Sequence, residues 1–325
     1  MLKQFDRFFV AYNQLDALRA DGRGNGVLPE ILKFIPVLLI TFIGQLAMSD
    51  VIGVVYTQID KLYYWNTDKF LLTPGTGSTQ VFLIAVSLFS TLGMIGVTLL
   101  CLRFAFKRPL SVTGFAGPFA KEYGLGLLAG LAVFALGVGF AAVTGTLTVT
   151  GLSDSFALGP WLLIFVGFLF QGMSEELLCR GCFMLNVARK NSVLAGILCN
   201  SLCFMALHLL NNGIAPLALV NLFLYGVFAS LYFLWRGNIW GIAAFHSMWN
   251  FAQGNVFGIL VSGGDFGVSL LVSVSDPSGA LINGGDFGLE GGLAVTVVLT
   301  LGIAFVLWRN LRRLAGTPMP LEGTE

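Results

Sequence analysis

Over most of this chain apolar residues neither alternate nor recur on one helical face; they run on without interruption. Apolar stretches of roughly 20 residues, the length that crosses the hydrocarbon core of a bilayer, fall near 31–56, 80–102, 123–146, 158–180, 191–211, 215–235, 237–261 and 291–309. Eight such helices predict an all-α polytopic membrane protein, with boundaries good to roughly 2–4 residues. The first is the least regular, because Gln45 and Asp50 lie within it and Pro36 is expected to kink it. The pattern divides the chain into a charged arm (1–30), the first helices (31–157), a central group of helices (158–261), a Gly/Asp loop (262–290), and a last helix with its tail (291–325).

The polar positions between these runs are ordered by charge. Lys3, Arg7, Arg19 and Arg23 precede the first span, whereas Lys61 and Lys69 in the next connection are matched by Asp60 and Asp68. Arg103, Lys107, Arg108 and Lys121 follow, then a connection without cations, then Arg189 and Lys190, an uncharged connection, Arg236, the acidic loop, and Arg309, Arg312 and Arg313. Cytoplasmic loops carry the excess of Lys and Arg, so this alternation predicts a multi-pass cell-membrane protein with both termini in the cytoplasm. The mixed, charged N-terminal arm lacks the apolar core of a signal peptide, and the first membrane helix is expected to direct insertion.

Composition agrees. Of 325 residues, 56% are hydrophobic and 11% charged, against about 25% charged in a typical soluble domain, and the mean hydropathy is +0.83. A formal net charge of +1 without a basic cluster gives no sign of a nucleic-acid partner, and none is expected. The loop repeats Gly-Gly-Asp-Phe-Gly at 263–267 and 284–288, but its acidic spacing does not match a calcium-binding EF-hand. It reads as a polar, glycine-rich extracytoplasmic turn. Gly126-x-x-x-Gly130 permits close helix approach, a weak signal in a membrane helix.

Three motifs interrupt the apolar runs: Glu175-Glu176-x-x-x-Arg180, Phe204-x-x-x-His208 and His246-x-x-x-Asn250, which hold the two histidines of the chain. Ionisable groups are expensive at membrane depth and rare there unless they pair or do chemistry. Arg180 follows Glu176 at the spacing of a helical ion pair, which gives those two a supporting role and leaves Glu175 facing a cavity as a general base. A tight turn near residue 191 makes an antiparallel hairpin in which Glu175 and His208 lie at equal depth. His246 and Asn250 share a helix face, where their N–H groups can donate to a developing oxyanion. Each motif also has an ordinary packing reading, as ion pairs or hydrogen bonds that lock helices together. Three such motifs on three spans favour a site.

Together with Gln171-Gly172-Met173-Ser174 and the run Gly241 to Ala244, the motifs resemble those of the CAAX-protease and bacteriocin-processing (CPBP) family of membrane endopeptidases, over about Gly167 to Asn255. The resemblance implies a glutamate-type intramembrane protease with its catalytic core in helices four to seven, and looks more like a prokaryotic member. It implies that Glu175 and His208 activate a water while His246 and Asn250 polarise the scissile carbonyl, supported by Glu176 and Arg180. The implied substrate is a membrane-associated or lipidated peptide or protein, among membrane lipids.

No cofactor is expected. The nearest alternative is a zinc-dependent membrane metalloprotease, since two histidines and a glutamate make a zinc set, although nothing resembles HExxH. Cys179-x-x-Cys182 and Cys199-x-x-x-Cys203 align in the same hairpin, and packing is favoured over a four-thiolate clamp. Cys101 has no evident partner, and no disulfide scaffold is implied. A non-catalytic immunity or scaffold protein ranks lower because every motif residue is present. A proton-coupled transporter ranks lower still, because no inverted repeat is visible.

Overall fold

The computed structural model describes residues 26–64, 77–154 and 156–315. The cationic arm up to Arg23, the connection carrying Asp68 and Lys69, and the tail after residue 315 lie outside the described residues. The chain is an all-α polytopic membrane protein, and the helices follow the apolar runs. Helix α1 (Val27–Tyr64) continues through Pro36; α2 (Gly77–Leu100) ends in a turn of π-helix at Cys101–Ala105. After α3 (Phe119–Val143) and α4 (Leu158–Glu176), the backbone winds as π-helix from Leu177 to Met184 and returns to α-helix in α5 (Leu185–Lys190). Then come α6 (Val193–Leu207), α7 (Pro216–Arg236) and α8 (Trp240–Phe251), the short α9 (Ala280–Asn283), and α10 (Leu293–Ala315). Among the described residues five helices are long and apolar enough to cross a membrane, against the eight runs read from the sequence. Leu39, Ile43, Leu46 and Val54 on α1 and Leu128 and Leu136 on α3 are exposed, as residues facing acyl chains should be.

Glycines set the closest crossings. A Cβ on Gly93 would collide with the Gly44 carbonyl, and one on Gly126 with that of Gly241. The Gly126–Gly130 pair therefore seats α3 on α8. The hairpin turn falls at Asn191–Ser192, where the Ser192 hydroxyl caps α6 by accepting from Ala195 N at 3.1 Å. Glu122 at the start of α3 takes both Nε and Nη2 of Arg236 at the end of α7, at 2.8 and 2.5 Å, which ties two helix ends together.

Two runs depart from the simple picture of straight spans. Helix α6 has 15 residues and α8 has 12, about 22 and 18 Å, short of the roughly 30 Å hydrocarbon core. Bonded to the ends of both, through Asn211 and Gln253, is the segment after the π-turn Ala252–Val256 that follows α8. This segment, read above as a bland polar turn, is an ordered wall. Its strand β2 (Leu271–Ser275) pairs antiparallel with β1 (Leu147–Leu152), and Phe287 and Leu289 are fully buried.

Irregular backbone that is buried must satisfy its polar groups within the protein, and amide side chains do so. Asn255 donates to Phe266 O and Val268 O at 3.3 and 2.5 Å, and Asn221 to Glu290 O and Gly292 O at 2.7 and 2.9 Å. Asn211 donates to Ser262 O at 3.1 Å, and Gln253 to Leu260 O. Two of the repeated glycines, Gly263 and Gly284, both have φ +83°, a conformation that glycine adopts at no steric cost.

Candidate active site

The end of α4 and the π-helix after it carry Gln171, Glu175, Glu176 and Arg180. Gly172 lets this helix touch α8, since a Cβ there would stand 2.7 Å from Ser247 N. The contact puts Glu176 Oε1 2.8 Å from His246 Nδ1, and the same oxygen accepts from Arg180 Nη1 at 3.0 Å. Glu176 and Arg180 are completely buried. The guanidinium lies 4.8 Å from the Phe204 ring centroid and 5.7 Å from that of Tyr225, in the cation–π range. Its charge offsets the carboxylate that holds His246.

Glu175 leaves the helix in another direction. Its Oε1 accepts from Gln171 Nε2 at 2.5 Å, and Gln171 Oε1 accepts from Asn250 Nδ2 at 3.0 Å. Its Oε2 stands 3.8 Å from His246 Nε2, beyond hydrogen-bond length, and has no hydrogen-bond partner. Asn250, Gln171, Glu175, His246, Glu176 and Arg180 thus form one polar series across two helices. His208, at the end of α6, has Nδ1 2.8 Å from the Phe204 carbonyl. The Phe204 ring is near both imidazoles, with centroids 4.7 Å from His208 and 6.0 Å from His246.

Glu175, His208, His246 and Asn250 line one cavity of about 540 Å³. Its other walls include Phe42 and Gln45 of α1, Met94 of α2, Tyr225 of α7, and Ser262 and Glu290 of the ordered wall. The Glu290 carboxylate accepts from Trp249 Nε1 at 2.8 Å and from the Ser262 hydroxyl at 2.7 Å, which anchors the wall to the helix carrying His246.

The structure therefore brings all seven motif residues to one place. Gln171 appeared in the sequence only as text beside the motif. Its position four residues before Glu175, on the same helix face, was the signal for its contact. Tyr225 and Glu290 gave no signal of this kind. Among the described residues no three His, Cys, Asp or Glu side chains gather in a way that would hold a metal ion, and the five cysteines are free.

A helical membrane protein with carboxylates and imidazoles around an internal cavity belongs to the class in which buried ionisable groups serve chemistry or transport. Residues 157–252 match a family model described as type II CAAX prenyl endopeptidase Rce1-like. The match contains all three motifs and bears out the resemblance read from them. No curated protein matches the chain.

Proposed function

We propose that the protein is an intramembrane endopeptidase that hydrolyses a peptide bond of a membrane-associated or lipidated substrate with water activated at Glu175. The observation that carries this reading is the state of the Glu175 carboxylate. One oxygen is fixed by Gln171, and the other is buried without a partner at the cavity, 3.8 Å from an imidazole nitrogen. Glu176 also has one oxygen without a partner, but its side chain is completely buried and does not line the cavity, so of the two carboxylates only Glu175 offers a free oxygen to a substrate.

The water adds its oxygen to the scissile carbonyl carbon and gives a proton to Glu175, while His208, across the cavity, orients it. The carbonyl π pair moves to oxygen. With Nδ1 held by Glu176, His246 in its imidazolium form presents Nε2–H to that oxyanion, and Asn250 stands on the same face. On collapse the C–N bond breaks, and the leaving amine takes the proton from Glu175. Glu176 and Arg180 orient His246, as an acid orients the histidine in other hydrolytic sites.

This reading requires no metal. The Nδ1 atoms of both histidines already face protein oxygens, Glu176 Oε1 and Phe204 O. The family description makes a prenylated CAAX peptide the first substrate to try. The charge alternation supports a cell-membrane location with both termini in the cytoplasm.

The test is incubation of purified protein with prenylated and unmodified peptides. Wild type should cleave at least one, with Glu175→Gln and His208→Ala slower by about 10²–10⁴-fold and a chelator without effect. Activity lost to chelator and restored by zinc would replace this mechanism with a metal-dependent one. Intact peptides in every arm would sink the enzyme reading.

A further inference from the structure

Of the side chains that line the cavity, two hold a buried polar atom with no hydrogen-bond partner. One is Glu175, already assigned. The other is Tyr225 of α7, which is 6% exposed and keeps its hydroxyl unpaired. Buried hydroxyls almost always find a partner, and one that has none calls for an explanation. Packing does not supply it. The ring meets His246 at 5.0 Å, Phe204 at 5.3 Å and Trp249 at 6.2 Å between centroids, and phenylalanine would make all of these contacts without burying a polar atom.

The residue is also held still. Asn221, one turn earlier on α7, is tied to the carbonyls of Glu290 and Gly292. At the next position, a Cβ on Gly226 would stand 2.7 Å from Ser201 Cα, so α7 sits tightly on α6. Fixed, desolvated donors aimed at a reaction centre are what stabilise developing charge most effectively. In the reading above the Nε2–H of His246 is the other donor to the oxyanion, with Asn250 on the same face. The Asn250 amide is engaged by Gln171, and His246 Nδ1 is engaged by Glu176.

We propose that the Tyr225 hydroxyl is a catalytic hydrogen-bond donor to the carbonyl oxygen of the scissile peptide. This rests on the endopeptidase reading above. As water adds to the carbonyl carbon and its proton passes to Glu175, the π pair moves to oxygen and the Tyr225 O–H shortens its hydrogen bond to that oxyanion. Tyr225 keeps its own proton throughout. When the tetrahedral intermediate collapses, the pair returns to the carbonyl, the C–N bond breaks, and Glu175 protonates the amine. The hydroxyl is thus satisfied by substrate and most fully in the transition state.

Tyr225→Phe separates this role from packing, because it removes one oxygen that makes no bond in the free protein. With a peptide that wild type cleaves, kcat should fall by about 10²–10³-fold, the range for loss of one oxyanion donor, with KM within about threefold of wild type. The melting temperature in detergent should stay at or above that of wild type. Unchanged kcat, a rise in KM alone, or a fall in activity that tracks a fall in melting temperature would each overturn the assignment. A wild-type protein as inert as Glu175→Gln toward every peptide would instead remove the endopeptidase reading, and this inference with it.

Discussion

Arg180 shows how one residue can carry both stability and site geometry. Its guanidinium is wholly buried and faces the equally buried Glu176, with Phe204 and Tyr225 beside it. A buried pair is a poor source of net stability, yet breaking it leaves a charge with nothing to offset it, at about 3–5 kcal/mol. Arg180→Ala is therefore expected to lower unfolding stability by that amount. The double variant Glu176→Leu with Arg180→Met should recover most of the loss, because two apolar groups of similar size can replace a buried pair. It should not recover hydrolysis, since His246 then lacks the oxygen that holds its Nδ1. Denaturation curves and peptide cleavage measured on the same preparations check both halves. A single Arg180→Ala variant as stable as wild type would refute the assignment.

Between elements, the decisive contacts are those that glycine allows. A Cβ on Gly172 would stand 2.7 Å from Ser247 N and 2.9 Å from Ala243 O, backbone atoms that cannot swing aside. Gly172→Ala should push α4 off α8, at about 1–3 kcal/mol, and lengthen the path from Glu176 to His246. Gly139→Ala, where a Cβ meets nothing within 4 Å, is the control and should leave melting temperature and cleavage close to wild type. Equal behaviour of the two variants would show that the crossing does not depend on Gly172. The same elements show what the sequence could carry. Pairs four apart on one helix (Glu176 with Arg180, Phe204 with His208, Gln171 with Glu175) are legible because the helix itself fixes their distance. The placing of Glu175 and His208 at one level followed from hairpin symmetry, and both do line one cavity. The contact between Glu176 and His246 was not legible. It depends on an interhelical crossing, the close approach of Gly172 to Ser247 and Ala243, whereas hydrophobic runs describe single helices. The β1–β2 ribbon was missed for another reason. Leu147–Leu152 and Leu271–Ser275 do show the Val/Thr-rich alternation of strands, but it is faint beside the long apolar helices.

At the scale of the whole molecule, the segment between α8 and α10 is bonded to the ends of the two short helices. Its carbonyls are satisfied by Asn and Gln side chains that the hydrophobic pattern presents as mere polar interruptions. Asn255 is one of these. Its side chain donates to Phe266 O and Val268 O, and its backbone carbonyl accepts from Trp161 Nε1 at 2.8 Å. Asn255→Leu strands the buried Val268 acceptor, at about 1–3 kcal/mol, and frees the partly buried Phe266 carbonyl. Hydrogen exchange should accelerate across 258–270 while amides in α3 and α10 stay protected. Uniform acceleration would mean that the wall unfolds only with the whole protein, and no change would mean that Asn255 does not hold it.

The position of Glu290 along the chain has a bearing on synthesis. The three motifs are complete once Asn250 has been made, but the carboxylate that pins the wall to Trp249 comes roughly forty residues later. A chain made only as far as Asn250 therefore carries all three motifs but lacks the residue that fixes the wall beside them.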